Sequence, residues 1–235
     1  MNPLPKSWAF RRLADVAEVR LGRQRSPKTH SGANMRPYLR AANVTWDGLD
    51  LSDVKEMHFS ISEVETYRLL PGDVLVAEAS GSRGEVGKPA LWNGEIDACC
   101  FQNTLLRVRS SILRPQYLLN FLRLEALSGR LGDAARGVGI HHLGAAGLSS
   151  YMLPIPPLLE QKRIVTAIEE ELSRVEAGEA ALASAVHRAA VLRRSILAAA
   201  FAGQLVPQDP NDEPLPGSLG IQTRECVTRT RRRRR

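Results

Sequence analysis

The stretch LPIPPLLEQKRIVTAIEEELSRV (153–175) marks the point where the chain changes in character. It opens with three prolines, which favour turns and extended backbone because proline fixes φ and lacks an N–H donor. From Leu158 to Phe201 there is no further proline, and Gly178 is the single glycine. This run predicts one helix of roughly 65 Å at 1.5 Å per residue. A globular part therefore precedes residue 158, and a long helix follows it.

Apolar side chains recur along this predicted helix at alternating steps of three and four residues. Eight of the ten seam positions between 165 and 196 are apolar, with Glu179 and Arg193 as the exceptions. A seam of this kind is typical of a coiled coil, so we expect a partner helix along it. The alternative is a helix folded back on its own domain. The residues predicted to bind a partner are Val165, Ile168, Leu172, Val175, Leu182, Val186 and Ile196.

The sequence before the helix alternates short apolar stretches with turns rich in glycine and proline. This pattern predicts an α+β fold, with a mixed globular domain over residues 1–157, a helical region over 158–205 and an extended or disordered basic tail over 206–235. Pro115 is expected to begin a further helix over about 115–129. The strand-like stretches are 37–44, 74–77 and 100–109.

Composition narrows the class of protein. An apolar fraction of 43% and a charged fraction of 24% are ordinary for a folded chain and exclude wholesale disorder. No apolar run approaches the roughly 20 residues that span a bilayer. Three cysteines cannot form a disulfide framework and have no zinc-like spacing. The sequence therefore predicts a cytoplasmic protein with no membrane association.

Net charge is unevenly distributed along the chain. The formal charge is +7, and residues 224–235 alone carry +6 of it, while 158–223 carry −3. Residues 6–40 form the basic part of the domain, with nine Lys and Arg against Asp15 and Glu18. Such a local excess attracts a polyanion such as a nucleic acid.

The candidate side chains for binding a nucleic acid lie in three loops and one strand-like stretch. The first loop is 22–35, the second is 80–87 with the adjacent Lys88, and the third is 136–148, while Arg40 lies in the strand-like stretch 37–44. Arginine can pair with guanine O6 and N7, and glutamine with adenine N6 and N7, so these loops offer groups for bases as well as phosphates. Each loop also has a structural alternative. The first could be a solvated basic loop, the second a generic turn, and the third could contain a structural histidine pair. The candidates are Arg23, Gln24, Arg25, Lys28, Arg40, Ser82, Arg83, Lys88, Arg136, His141 and His142.

Catalytic and metal-binding motifs fail on spacing. The segment GSRGEVGKP (81–89) lacks the glycine spacing and the Ser or Thr of a phosphate-binding loop. Asp73, Glu85 and Lys88 give a weak match to a metal nuclease. No methyltransferase motif or dinucleotide fingerprint is present. We expect no catalytic residue, metal or cofactor site in this chain.

Several segments together resemble the specificity subunit of type I restriction–modification systems. The Pro-Pro-Leu-x-Glu-Gln element within 153–175 and the segment SILAAAFAGQLVPQDPNDEP (195–214) resemble its conserved helical region. The upstream segments LADVAEVRLGRQ (13–24), PYLRAANV (37–44), LLPGDVLVAEASGSRGEVGK (69–88) and CFQNTLLRV (100–108) resemble its target recognition domain. The resemblance covers about residues 8–214.

The resemblance implies a non-catalytic subunit that reads a split target in double-stranded DNA. It directs adenine-N6 methylation and restriction by partner subunits, a methyltransferase and a translocating endonuclease. S-adenosylmethionine, ATP and Mg are expected only in those partners. A usual subunit has two recognition domains and two antiparallel conserved helices, whereas this sequence has one of each.

The half-length pattern favours a homodimer with antiparallel helices. Two-fold symmetry would require two identical inverted half-sites. A truncated or frameshifted gene would also explain the missing half, and the product would then act mainly as an assembly partner for methyltransferase or another half-subunit.

Overall fold

The computed structural model describes residues 4–26, 31–80, 83–135 and 141–213, without the side chains of Ser80, Arg83 and Ala134. The chain divides into two compact units, Met1–Ser173 and Arg174–Arg235. The strands are β1 (Ala9–Arg12), β2 (Glu18–Leu21), β3 (Met35–Leu39), β4 (Val44–Thr45), β5 (Gly48–Leu49), β6 (Lys55–His58), β7 (Val74–Ala77), β8 (Ala79–Ser80), β9 (Pro89–Leu91), β10 (Cys100–Phe101), β11 (Leu105–Arg109), β12 (His141–His142) and β13 (Met152–Ile155). The helices are α1 (Ile61–Tyr67), α2 (Pro115–Leu127), α3 (Arg130–Ala134), α4 (Ala145–Ser149) and α5 (Leu158–Phe201). This α+β architecture confirms the fold class predicted from the sequence.

A four-stranded antiparallel sheet in the order β2-β11-β7-β9 forms the centre of the first unit. Val76 and Leu106 face one apolar cluster, which includes residues of α2 and α4. Leu75 and Leu105 face a second cluster with Trp92. Because both faces of β7 and β11 are buried, these strands are almost continuously apolar rather than alternating.

A second sheet, in the order β10-β3-β6, packs beside the first. It buries Tyr38, Met57, Phe59 and Cys100. Burial raises the pKa values of the Cys99 and Cys100 thiols to about 12, so both are protonated at neutral pH and poor nucleophiles. This agrees with a packing role for the adjacent cysteines.

The sequence predicted some elements correctly, but two stretches predicted as single strands are interrupted in the structure. Strand 74–77 and the long helix have the predicted bounds, and α2 begins at Pro115 as expected. The predicted strand 37–44 ends at Leu39, because the Asn43 side chain holds a 3-10 turn by accepting from the Arg40 N–H. The predicted strand 100–109 is divided by a turn at residues 102–104.

The start of α5 is attached to the domain through one buried amide. Gln161 is 1% exposed; its oxygen accepts from the Arg114 N–H at 2.9 Å, and its nitrogen donates to the Pro156 carbonyl at 3.0 Å. Arg114 is the N-cap of α2, so one side chain joins the beginnings of two helices. The first turns of α5, up to Ser173, accordingly belong to the first unit. Among the described helices, none is long and apolar enough to span a membrane.

We expect Gln161→Ala to lower the free energy of unfolding by about 2–4 kcal/mol, because it leaves a buried donor and a buried acceptor without partners. Urea unfolding followed by circular dichroism measures this change. Lys162→Ala, at the next and exposed position, should change stability by less than about 0.5 kcal/mol. Equal stabilities of the two variants would show that the amide does not hold the junction.

Candidate functional site

One end of the four-stranded sheet gathers the loops that carry the candidate side chains. The antiparallel register places the ends of β2 and β7 beside the beginnings of β11 and β9. The loop after Leu21, the turn before Leu105, the segment after Ala77 and Lys88 therefore meet at this end of the sheet. We call it the loop end.

A turn of three residues, Gln102–Thr104, joins the segments at the loop end. The Thr104 carbonyl accepts from the Glu78 N–H and its hydroxyl accepts from the Ala41 N–H, both at 2.9 Å. The Asn103 N–H donates to the Arg23 carbonyl at 3.0 Å, and the Gln102 N–H donates to the Leu39 carbonyl at 2.9 Å. The turn thus holds three segments that are distant in sequence, around Arg23, around residues 39–41 and at Glu78.

Gly22 allows the basic loop to approach this turn. A Cβ at this position would lie 2.1 Å from the Gln102 carbonyl oxygen and 2.8 Å from the Phe101 ring. Neither backbone nor ring could yield enough space for it. The sequence LGRQR therefore has glycine at 22 because of a close backbone approach, and Arg23 follows in a β-bridge with Gln102.

Arg23 is held against the domain rather than extended into solvent. Its side chain is 14% exposed, donates to the Glu63 carboxylate at 2.7 Å and lies 5.3 Å above the Phe59 ring. The other Glu63 oxygen caps α1 by accepting from the Ser60 N–H at 2.8 Å. The hydrogen bond from Arg23 lowers the pKa of Glu63, so the pair is fully charged at neutral pH.

Arg40 and Lys88 are likewise paired with acids. Arg40 donates to Asp53 at 2.6 Å. Lys88 is 16% exposed, donates to Glu85 and lies 5.8 Å from the Trp46 ring centroid. These partners neutralise part of the basic charge that the composition predicts.

Gln24, Arg25 and the histidine pair are more accessible. Gln24 and Arg25 are exposed beside the turn. His141 and His142 form β12, which pairs with Ala79 and Ser80 of β8. His142 Nδ1 lies 3.0 Å from the Glu78 carboxylate, while the buried Nδ1 of His141 has no hydrogen-bond partner among the described residues.

The remaining candidates fall wholly or partly outside the described residues. Lys28, Ser82 and Arg136 lie in the segments that the structure does not describe. The backbone of Arg83 begins a short 3-10 turn, Arg83–Glu85, and its side chain is outside the description.

The sequence reasoning missed three functional elements: the Gln102–Thr104 turn, Glu63 and Glu78. A polar QNT triplet inside an otherwise apolar strand pattern was the available signal for the turn. No sequence signal connects Arg23 with Glu63, because the pair is set by the packing of the second sheet.

The acidic groups do not form a metal centre. Asp73 is buried and receives a bidentate hydrogen bond from Arg109, whereas Glu85 pairs with Lys88. Over residues 4–26, 31–80, 83–135 and 141–213, no group of three or more His, Cys, Asp or Glu side chains could hold a metal ion.

Comparison with known proteins identifies the family. Residues 5–179 match the family model described as the type I restriction modification DNA specificity domain. This chain belongs to the type I specificity family. It is 25% identical over 218 residues to the StySPI specificity subunit of Salmonella potsdam, with 91% of this chain and 47% of the relative covered. It is 35% identical over 175 residues to the EcoBI specificity subunit of Escherichia coli, with 69% and 34% covered.

Two solved structures show the same fold. A chain from a type I R-M system, studied for its complex assembly and conformational transition, matches with a TM-score of 0.64 and 25% identity, covering 86% of this chain and 48% of that one. The HsdS subunit of Thermoanaerobacter tengcongensis matches with a TM-score of 0.59 and 24% identity, covering 86% and 47%. The chain thus spans about half the length of both solved chains and of the StySPI subunit, and about a third of the EcoBI subunit.

The predicted helix seam is exposed along most of its length. Leu172, Val175, Leu182, Val186 and Ile196 are between 45% and 66% exposed, and Ile168 is half-buried. Val165 is the exception, because it is buried within the first unit and cannot also face a partner. The accessible seam is therefore shorter at its beginning than the sequence predicted.

We expect Glu63→Gln to destabilise this specificity domain by about 1 kcal/mol at neutral pH, because it removes a charge-assisted hydrogen bond to Arg23. Since the pKa of Glu63 is lowered, the pair stabilises the fold above the ordinary pKa of glutamate, and this contribution is lost as the pH falls through the lowered value. The difference from the unmodified protein should therefore shrink on acidification.

Glu65→Gln provides the control for urea unfolding at each pH. It makes the same charge change on an exposed position of α1 and should alter stability by less than about 0.5 kcal/mol. A Glu63→Gln penalty that stayed constant from neutral to strongly acidic pH would contradict the ion pair.

Proposed function

We propose that this chain is a non-catalytic DNA sequence-recognition subunit of a type I restriction–modification complex, which directs adenine-N6 methylation and restriction to a split target. The observation that most supports this proposal is the loop end, where the segments around Arg23, Arg40, Lys88 and His142 meet. Membership of the specificity family supports the same function.

Charge at the loop end suits a polyanion without strong non-specific attraction. Residues 6–40 carry a local +7, but Glu63, Asp53 and Glu85 pair with Arg23, Arg40 and Lys88. Arg25 remains exposed for phosphate contact. Phosphate contacts position a protein on DNA, and base contacts supply the sequence choice.

The partners proposed for this subunit are methyltransferase subunits and a restriction endonuclease subunit in the cytoplasm. They would supply the S-adenosylmethionine, ATP and Mg chemistry. The similarity to a solved chain of a type I R-M system, studied for its complex assembly, supports such a complex.

The proposed assembly is a homodimer through antiparallel α5 helices. The exposed apolar seam from Leu172 to Ile196 is the surface that such a partner would bury. Burial of apolar area at about 25 cal/mol per Å² favours this association. An isologous dimer would read two identical, inverted half-sites.

Selection from a random duplex pool tests the recognition function. The purified full chain should enrich a split motif of two inverted half-sites, and fluorescence anisotropy should show tighter binding to it than to scrambled duplexes. Flat binding to all duplexes, weakened only by salt, would contradict sequence recognition and favour the assembly role.

For the dimer, Leu172→Asp combined with Leu182→Asp should convert the chain to a monomer at micromolar concentration while the first unit stays folded. Charges placed on the seam oppose apolar burial in a partner helix. Sedimentation equilibrium measures the mass, and circular dichroism checks the fold.

Ala177→Asp with Ser184→Asp is the matched control, since both positions lie on the helix face opposite the seam. That variant should remain dimeric. A monomeric parent chain, or dimers retained by the seam variant, would reject this interface.

A further inference from the structure

The side chains of Gln102 and Asn103 occupy the centre of the loop end, and the proposed function does not yet use them. Asn103 adjoins the Arg23 backbone, and Gln102 adjoins Leu39 at the end of β3. Thr104, the next residue, connects to Glu78 and hence to the β8–β12 pair. A ligand that touches these loops together would also lie against this turn.

The backbone of the turn is fixed by the protein itself. Its N–H groups at 102 and 103 donate to Leu39 and Arg23, and the Gln102 carbonyl accepts from the Leu105 N–H at 2.9 Å. Little conformational freedom is left at the Cα positions. The two side chains therefore project from a rigid base, which lowers the entropic cost of contact with a ligand.

The side-chain amides, in contrast, are available. Both residues are half-buried, and neither amide makes a hydrogen bond within the part of the chain that the structure describes. The neighbouring cations Arg23, Arg40 and Lys88 are paired with carboxylates. The Gln102 and Asn103 amides, which are neutral and carry both donors and acceptors, are thus the polar groups at the centre of the loop end that are available to a ligand.

We propose that Gln102 and Asn103 read adenine in the major groove of the target DNA, as an extension that rests on the proposed function. A carboxamide donates to adenine N7 and accepts from the adenine N6 amino group, a pairing that no other base edge offers in the same order. The amides supply base choice, and Arg25 supplies a phosphate contact beside them.

The test first selects a motif with the unmodified full chain from the random duplex pool. Each adenine of that motif is then replaced in turn by 7-deazaadenine, which lacks the N7 acceptor but keeps the base pair. At one or more adenines, binding by the unmodified chain should weaken by about 5- to 150-fold, the range of a bidentate base contact.

Gln102→Ala and Asn103→Ala complete the test. At least one of them should lose a similar factor on the natural motif and lose nothing further on the matching 7-deazaadenine duplex. The same variant should relax the base preference at that position in a repeated selection. Gln116→Ala is the control, because this exposed amide lies on α2 near Pro115 and Gly72, at the opposite end of β7.

The outcomes separate this inference from the proposed function. Failure of the unmodified chain to enrich any motif would reject sequence recognition itself. With a motif in hand, insensitivity to every 7-deazaadenine substitution would overturn adenine reading, even if a variant failed to fold. Equal weakening of an alanine variant on the motif and on scrambled duplexes would also overturn it, because that result indicates a phosphate contact.

Discussion

Four hydrogen bonds to the Gln102–Thr104 turn determine how the recognition domain is arranged. The turn lies between β10, which belongs to one sheet, and β11, which belongs to the other. Two of the bonds reach Leu39 and Ala41 at the end of β3, and the other two reach Arg23 and Glu78. In all four bonds, the partner outside the turn is a backbone N–H or carbonyl group. The turn therefore positions these segments without depending on the identity of their exposed side chains. Loop residues can then vary while the scaffold beneath them stays the same.

Charge at the loop end is balanced more closely than the composition suggests. Arg23, Arg40 and Lys88 each face a carboxylate. The partner carboxylates lie 40, 13 and three residues away in sequence, respectively. Strong unpaired charge would bind any duplex and would compete with the search for a specific target. Pairing the cations reduces that background and leaves contacts to base edges with a larger share of the discrimination. A modest basic field with neutral reading groups is therefore consistent with a specificity protein.

Sequence reasoning predicted the elements whose pattern is local. The proline-free run gave α5 its bounds, Pro115 marked the start of α2, and the apolar run 74–77 predicted a strand. It did not predict the division of 100–109 or the pairing of Arg23 with Glu63, because both depend on contacts between two sheets. The seam illustrates the same limit: heptad spacing includes Val165, yet only the tertiary structure shows that this side chain is already buried.

The junction at Gln161 explains why a proline-rich turn precedes a long helix in this chain. Prolines at 154, 156 and 157 cannot donate backbone hydrogen bonds, so the approach to α5 has few groups of its own to fix its direction. The buried Gln161 amide supplies that constraint by bonding the Pro156 carbonyl and the Arg114 N–H together. The Tyr117 hydroxyl adds a bond to the Pro154 carbonyl at 2.7 Å. The bonds from Arg114 and Tyr117 both involve α2 or its N-cap. Because α2 packs against β7 and β9, these two bonds connect the beginning of α5 and the segment before it to the sheet that carries the loop end. The buried Gln161 side chain is thus required for the first turns of α5 to hold a fixed direction on the recognition domain.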